Sequence, residues 1–278
     1  MVTDAQLDEF LAFAIEAARA AGEVQLRGLS DRPAITLKGP RELVTPVDLA
    51  CEELIVGRIQ QAYPDHGYFA EEGHARAGAL RWIVDPLDGT TNYAQRLPLF
   101  AVSIGLEEVG HGLVLGVVFA PYLDELFYAR RGGGAFLVRG GAAPRRLEVS
   151  RTERLGDAVL STGFAYVQNE TSNHNLDNWV HLSRTTRALR RGGSAAIDLA
   201  YVADGRFDGF WEMHLKAYDV AAGAVLIREA GGRVTDMFGG EDWLEGQSLI
   251  ATNGRVHDEV ARSLQPVQAD PWVRRPGA

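Results

Sequence analysis

From Thr3 onward the apolar positions Leu7, Phe10, Leu11, Ala14, Ala18 and Ala21 recur at a helical period, with charged residues between them. Thr3 and Gln6 stand at the spacing of a capping box, so the pattern predicts an amphipathic helix beginning there. A second helix is predicted over residues 48–62, with Cys51, Leu54, Ile55 and Ile59 on its inner face and Pro64 just past its end. The period then shortens. Runs rich in β-branched and aromatic residues predict strands over 68–70, 82–84, 100–106, 113–119 and 125–128, and Gly132, Gly133 and Gly134 turn the chain into another at 135–137.

Beyond this point helix and strand patterns alternate more evenly. Strands are predicted over 159–161, 186–189 and 207–211. Helices are predicted over 176–183, after Gly192-Gly193-Ser194, and over 219–229 before Gly231-Gly232. Helices first, then strands, then alternation, describes α+β or layered α/β architecture. No repeat or long linker divides the chain, and the Pro/Gly/Arg-rich stretch 140–146 is the best seam between two halves. Residues from Pro266 on carry little pattern and are expected to form a partly ordered tail.

With 278 residues, 46% of them hydrophobic, the chain can bury about 75% of its unfolded surface and needs no covalent staples. Cys51 is the sole cysteine, which excludes an internal disulfide framework and a paired-cysteine zinc site and points to a reducing, cytoplasmic compartment. The acidic start (Asp4, Asp8, Glu9) is unlike a secretory leader, and no apolar run approaches the roughly 20 residues that span a bilayer. A net charge of −9 without a basic block argues against nucleic acid as a partner. An anionic small molecule stays open if a cation is bound first.

The chemistry concentrates after the strand at 82–84, where Asp85-Pro86-Leu87-Asp88-Gly89-Thr90 offers two carboxylates, a glycine and a hydroxyl in six positions. Pro86 is expected to stop the strand and let Asp85 and Asp88 converge on one point. Taken alone, an Asp-Pro or Asp-Gly pair is more often a turn, and Asp219 before a helix is more often an N-cap. Glu71-Glu72, after the strand at 68–70, and Asp219 nevertheless add further acids. If they meet, each close pair costs about 4 kcal/mol of repulsion at an effective dielectric near 20, to be relieved by a proton or a cation. An all-oxygen set suits Mg2+ or Mn2+ rather than zinc. Gly89 and Thr90 are expected to open a helix whose free amides could seat a phosphoryl group beside the metal. With no Walker lysine motif and no GxGxxG loop, hydrolysis is favoured over nucleotide-dependent transfer.

The block from Asp85 to Tyr93 resembles the first signature of the inositol monophosphatase family, and 218–224 with Glu229-Ala230-Gly231-Gly232 resembles the second. Glu71-Glu72, the stretch 43–48 and Gly193-Ser194-Ala195 fall in the family's order, so the resemblance runs from about Lys38 to Gly232. It implies a layered αβαβα sandwich of the inositol monophosphatase / fructose-1,6-bisphosphatase type, usually a homodimer. The chain is then a single catalytic domain, 1–278, in which half 1–143 binds metal and half 144–278 completes the site. The resemblance further implies an Mg2+-dependent, often lithium-sensitive phosphomonoesterase. Glu71, Asp85 and the Leu87 carbonyl would hold one ion, and Asp85, Asp88 and Asp219 a second. Glu71 would support a weaker third ion through waters, and Mn2+ would substitute. Thr90 and Asp48 would orient the nucleophilic water. Asp88, Gly89, Thr90, Gly193, Ser194, Ala195 and Glu212 would contact substrate. Tyr218 stands where the signature usually has Trp, and Lys216 where animal enzymes often carry His.

The expected substrate is an inositol monophosphate, cleaved to myo-inositol and phosphate. A sugar bisphosphate such as fructose 1,6-bisphosphate is the first alternative, with Arg187, Arg190, Arg191 and Lys216 as candidate cations for a second phosphate; their ordinary reading is solvated surface charge. Histidinol phosphate and nucleotide 3′-phosphates rank lower. The alternative from a different class is a catalytically silent regulatory interaction protein, against which stands the presence of every expected carboxylate.

Overall fold

The computed structural model describes residues 1–29, 35–39, 42–165, 175–246 and 248–264. Helix α1 (Asp4–Gly28) starts at the Thr3–Gln6 capping box and is followed by the short strands β1 (Thr36–Leu37) and β2 (Leu43–Val44). Then come α2 (Pro46–Ala62), β3 (Gly67–Ala70), β4 (Ala75–Arg76), β5 (Leu80–Asp88) and α3 (Thr90–Ala94). The meander β6 (Ala101–Glu108), β7 (Gly112–Ala120), β8 (Glu125–Arg130), β9 (Gly134–Arg139) and β10 (Arg145–Arg146) completes an eight-stranded sheet of order β10-β9-β8-β7-β6-β5-β3-β4. The later elements are β11 (Val159–Thr162), α4 (Leu176–Thr185), β12 (Ala188–Arg190), α5 (Ala195–Ala203), β13 (Gly209–Met213), α6 (Ala217–Glu229), β14 (Arg233–Thr235), β15 (Ser248–Thr252) and α7 (His257–Ser263). Their strands form a five-stranded sheet of order β12-β11-β13-β15-β14.

Five layers result. α1 and α2 pack on one face of the large sheet; α5 and α6 lie between the two sheets; α4 and α7 cover the far face of the small sheet. The central layer carries the largest apolar cluster, in which Val118 and Phe127 of the large sheet meet Leu199 and Leu226 of the helices and Phe210 and Leu249 of the small sheet. The fold is the layered αβαβα arrangement that the resemblance implies.

Several boundaries differ from the sequence reading, and two of the differences matter to the site. α2 begins at Pro46 rather than Asp48, because Thr45 is the cap and a proline at the first helical position loses no hydrogen bond. Val56 is buried on its inner face, whereas Leu54 is only partly so. Strand β5 does not stop at Pro86 but runs to Asp88 through a register shift between Asp85 and Asp88 against β6. A bulge tolerates a residue without an N–H, so Pro86 sits inside the strand and bends it. Elsewhere the shifts are small. Thr186 closes α4 instead of starting β12, β13 starts at Gly209, and the 140–146 seam ends in β10, which pairs with β9. The expected tail from Pro266 lies outside the described residues.

Candidate active site

The bulge in β5 makes the centre of the site. Asp85 pairs with Ser103 and Asp88 with Ala101 across β6, so both carboxylates are fixed by one ladder while the residues between them loop outward. The Leu87 N–H donates to Asp85 Oδ1 at 3.0 Å, and the Pro86 carbonyl accepts from Gln25 Nε2 of α1 at 2.8 Å. Gly89 caps α3 at φ 88°, where a Cβ would stand 2.8 Å from the Leu99 carbonyl oxygen.

Asp219 arrives from the other half. It lies in the first turn of α6, not at its cap, and its Oδ2 accepts the Lys216 N–H at 2.6 Å. Oxygens of Asp85, Asp88 and Asp219 all lie within 4.8 Å of one another. Burial, then repulsion from Glu71, Asp88 and Asp219, pushes Asp85 well above the usual carboxylate range. Asp219 is pushed well up too, chiefly by burial. Glu71, on the turn between β3 and β4, rises for the same reason and through repulsion from Asp219; a hydrogen bond with Asp85 and the Lys38 ammonium, 3.7 Å away, oppose the rise. Two buried carboxylates and the half-buried Asp219 converge with Glu71 beside them, and among the described residues no His or Cys joins the cluster, a set that fits a hard divalent cation. The Leu87 carbonyl, the other expected ligand, accepts from Thr90 Oγ1 at 3.1 Å and has a second lone pair to offer.

Asp48 and Thr90 meet as the resemblance implies. Thr90 Oγ1 donates to Asp48 Oδ1 at 2.9 Å, while Asp48 Oδ2 accepts from Thr45 Oγ1 at 2.5 Å and from the Thr45 N–H at 2.9 Å. Asp48 is fully buried, which raises its pKa against those bonds. In the sequence Thr45 figures only within the stretch 43–48 that follows the family's order; its spacing to Asp48 is that of a capping box.

The second wall belongs to the small-sheet half. Asp88 Oδ2 accepts the Ala196 N–H at 2.8 Å and the Ser194 hydroxyl, so a metal-wall carboxylate seats on the first turn of α5. Asn92 Nδ2 reaches the Leu99 carbonyl at 2.7 Å and the Gly192 carbonyl at 2.9 Å, a second tie across the halves. The cleft, about 350 Å3, is lined by Glu71, Asp88, Gly89 and Asp219 together with Gly193, Ser194, Ala195, Glu212 and Lys216. Burial, moderated by Arg191, pushes Glu212 up to about 8. Arg191 lines the cleft; Arg190, whose guanidinium donates to the Leu189 carbonyl at 2.9 Å, is not among the residues lining it, and Arg187 pairs with Asp157 at 3.1 Å. Tyr218 packs against Phe69, with ring centroids 5.7 Å apart.

Asp198 and Gly163 are among the lining residues that the sequence reading does not single out. Asp198, 3% exposed, is pushed well up by burial and by Asp88. A Cβ on Gly163 would collide with the Glu212 carboxylate, so a side chain there would force Glu212 to move. Both depend on tertiary approach, and no local pattern announces them.

Convergent buried oxygen ligands beside a hydroxyl–carboxylate pair, in an αβαβα sandwich, define a metal-dependent phosphomonoesterase. The chain belongs to the inositol monophosphatase family, whose model matches residues 6–269. Inositol-1-monophosphatase of Rhizobium meliloti (strain 1021) is 44% identical over 253 residues, 90% of this chain and 89% of that protein. Nus factor SuhB of Pasteurella multocida (strain Pm70) is 40% identical over 273 residues, 96% of this chain and all of that protein. The solved inositol monophosphatase from Anabaena (Nostoc) sp. PCC 7120 superposes with a TM-score of 0.84 at 40% identity, covering 94% of this chain and 97% of that one. No helix among the described residues is long and apolar enough to cross a membrane.

Proposed function

We propose that the chain hydrolyses myo-inositol 1-phosphate to myo-inositol and phosphate, using two Mg2+ ions. The observation that carries this reading is the convergence of the Asp85, Asp88 and Asp219 carboxylates at a cleft that Glu212 also lines, together with the Thr90–Asp48 hydrogen bond. Glu71, Asp85, the Leu87 carbonyl, Asp88 and Asp219 would hold Mg2+, which when bound would supply Lewis-acid stabilisation of the phosphoryl oxygens and a water of lowered pKa. The rest falls to the chain. Thr90 Oγ1, held by Asp48, accepts from the attacking water and aligns it; Asp48, pinned by Thr45, takes up the Thr90 proton's hydrogen bond. The Ser194–Ala195 edge and Glu212 grip the polyol. A carboxylate–hydroxyl hydrogen bond is worth about 1.5–3 kcal/mol, enough to favour a polyol phosphate over an ester without hydroxyls.

Turnover of inositol 1-phosphate, fructose 1,6-bisphosphate, histidinol phosphate and p-nitrophenyl phosphate, with Mg2+ and with chelator, tests the reading. Inositol 1-phosphate should give the highest kcat/KM, and chelator should abolish activity. E212Q should penalise inositol 1-phosphate about 10-fold or more while sparing p-nitrophenyl phosphate. Preference for the bisphosphate would replace the substrate assignment. The proposal includes a cytoplasmic homodimer built of one catalytic domain per chain, checked by light scattering. The relative named Nus factor favours a second reading, a regulatory interaction role. The two separate by whether D88N, folded but without turnover, still serves in the cell.

A further inference from the structure

Glu52 lies on α2 one helical turn beyond Asp48, is fully buried, and faces the turn between β3 and β4. Its Oε2 accepts the Glu72 N–H at 2.6 Å, and its Oε1 accepts the His74 N–H at 3.1 Å and sits 2.7 Å from His74 Nδ1. The turn it holds is tight: the Ala70 N–H donates to the His74 carbonyl at 2.9 Å, and Gly73 takes φ 119°. Glu52 thus supplies both of its carboxylate oxygens to amides of this turn, which the strand ladder leaves unpaired. Glu71 is the first residue of this turn, tied to β5 through its own N–H to the Val84 carbonyl at 3.2 Å. Its backbone is therefore fixed on one side by β5 and on the other by a buried carboxylate of α2.

We propose that Glu52 is a positioning residue that sets the affinity of the site for its divalent ions by fixing the turn that carries Glu71. Asp48 and Glu52, four residues apart on one helix face, make α2 a common brace: its first turn aligns the hydroxyl that aims the water, and its second aligns a metal carboxylate. Glu52 does not touch substrate or the reacting atoms. Because this rests on Glu71 serving as a metal ligand, the experiment carries a control for that reading.

Wild type, E52Q, E52D, H74A and E71Q are compared by Mn2+ titration followed by electron paramagnetic resonance without substrate, by thermal melting, and by Mg2+ activation of phosphatase activity. E52Q keeps the shape but turns an amide toward two N–H donors, and should weaken Mn2+ binding about 10–100-fold, as loss of an outer partner of a metal ligand does. At saturating Mg2+ its kcat should return to within about threefold of wild type, with substrate KM unchanged. H74A should bind Mn2+ within about twofold of wild type, since its half-exposed ring adds only the outermost contact. Wild-type Mn2+ affinity in folded E52Q, alongside lost affinity in E71Q, overturns the positioning role, as does a drop in melting temperature with no change in metal binding. If E52Q does not fold, E52D decides by the same criterion, because the shortened carboxylate cannot reach both amides. Wild-type affinity in E71Q would remove the ligand reading and the positioning role together.

Discussion

The two walls of the cleft are built on opposite plans. On the metal wall, Asp85 and Asp88 come from one bulged strand, and Asp48, Thr90 and Thr45 interlock through hydrogen bonds of 2.5–2.9 Å. On the substrate wall, Glu212 sits on β13, Asp198 on α5, Gly163 at the end of β11 and Lys216 at the start of α6. The first wall is over-determined, with each carboxylate held by the ladder, a cap or an amide. The second gathers single residues from separate elements around Glu212, with Gly163 packed against its carboxylate and Asp198 adding to its pKa rise. A reaction whose chemistry is fixed and whose substrate is adjustable calls for this division.

The difference predicts where substitutions hurt most. D88N removes charge from the metal wall and weakens the tie to the Ser194 hydroxyl and the Ala196 amide in one step. It should lower kcat/KM for every ester tested by more than about 100-fold, beyond the cost of losing an outer partner, with the far-ultraviolet spectrum unchanged. A loss confined to polyol esters would move Asp88 to the substrate wall and dissolve the contrast.

The water-aligning pair comes next. T90A and D48N should each cut kcat about 100-fold with little change in KM, because the pair acts on the nucleophile in the transition state. The double variant should be barely worse than either single one. Multiplicative losses would show two independent residues rather than an interlocked unit.

The same contrast governs how far sequence carried. Of the metal wall, Asp85 and Asp88 are legible because they fall within four residues of each other, whereas the sharing of their ion with Glu71 and Asp219 is implied by the resemblance and not by spacing. What escaped was how they converge. Pro86 reads as a strand stop, whereas a bulge keeps β5 running, and only the pairing with β6 reveals it. Asp48 was placed at the start of α2 because the periodic pattern begins there, although Thr45 and Pro46 carry the helix signals. Gln25 reaches Pro86 across 61 positions, and Asp198 and Gly163 enter the cleft only when α5 and β11 close on β13. Such contacts leave no local period to read.

A third prediction turns on the cost of the substrate wall. The unfolded Glu212 titrates near 4.5, whereas burial, reinforced by Asp198 and Asp88, holds the folded group near 8. The folded state therefore binds more protons between these values. The stability Glu212 contributes is complete below about pH 4.5 and is lost as pH rises through 8. In chelator, E212Q should match wild type near pH 4.5 and exceed it by about 2 kcal/mol at pH 8.5, a figure discounted for the partial exposure of the side chain. Urea unfolding at the two pH values measures it. Parallel curves would mean that Glu212 is solvated, and that its wall is no more strained than an ordinary surface.

The smallest effect belongs to Lys216, the exposed residue at the rim. Its backbone N–H is committed to Asp219, while the residue itself is exposed and lines the cleft. An exposed cation contributes about 0–1 kcal/mol to an ion pair, so K216A should cost fructose 1,6-bisphosphate no more than about fivefold in kcat/KM and inositol 1-phosphate nothing. Salt distinguishes a rim charge from a grip. Raising ionic strength from 0.05 to about 0.5 M shortens the screening length to about 4 Å and should erase the difference between K216A and wild type. A loss that persists in high salt, or one near 100-fold, would mean that the ammonium is desolvated against a second phosphate. Lys216 would then join Glu212 as a fixed part of the substrate wall, and the bisphosphate would become the substrate that the cleft is shaped to hold.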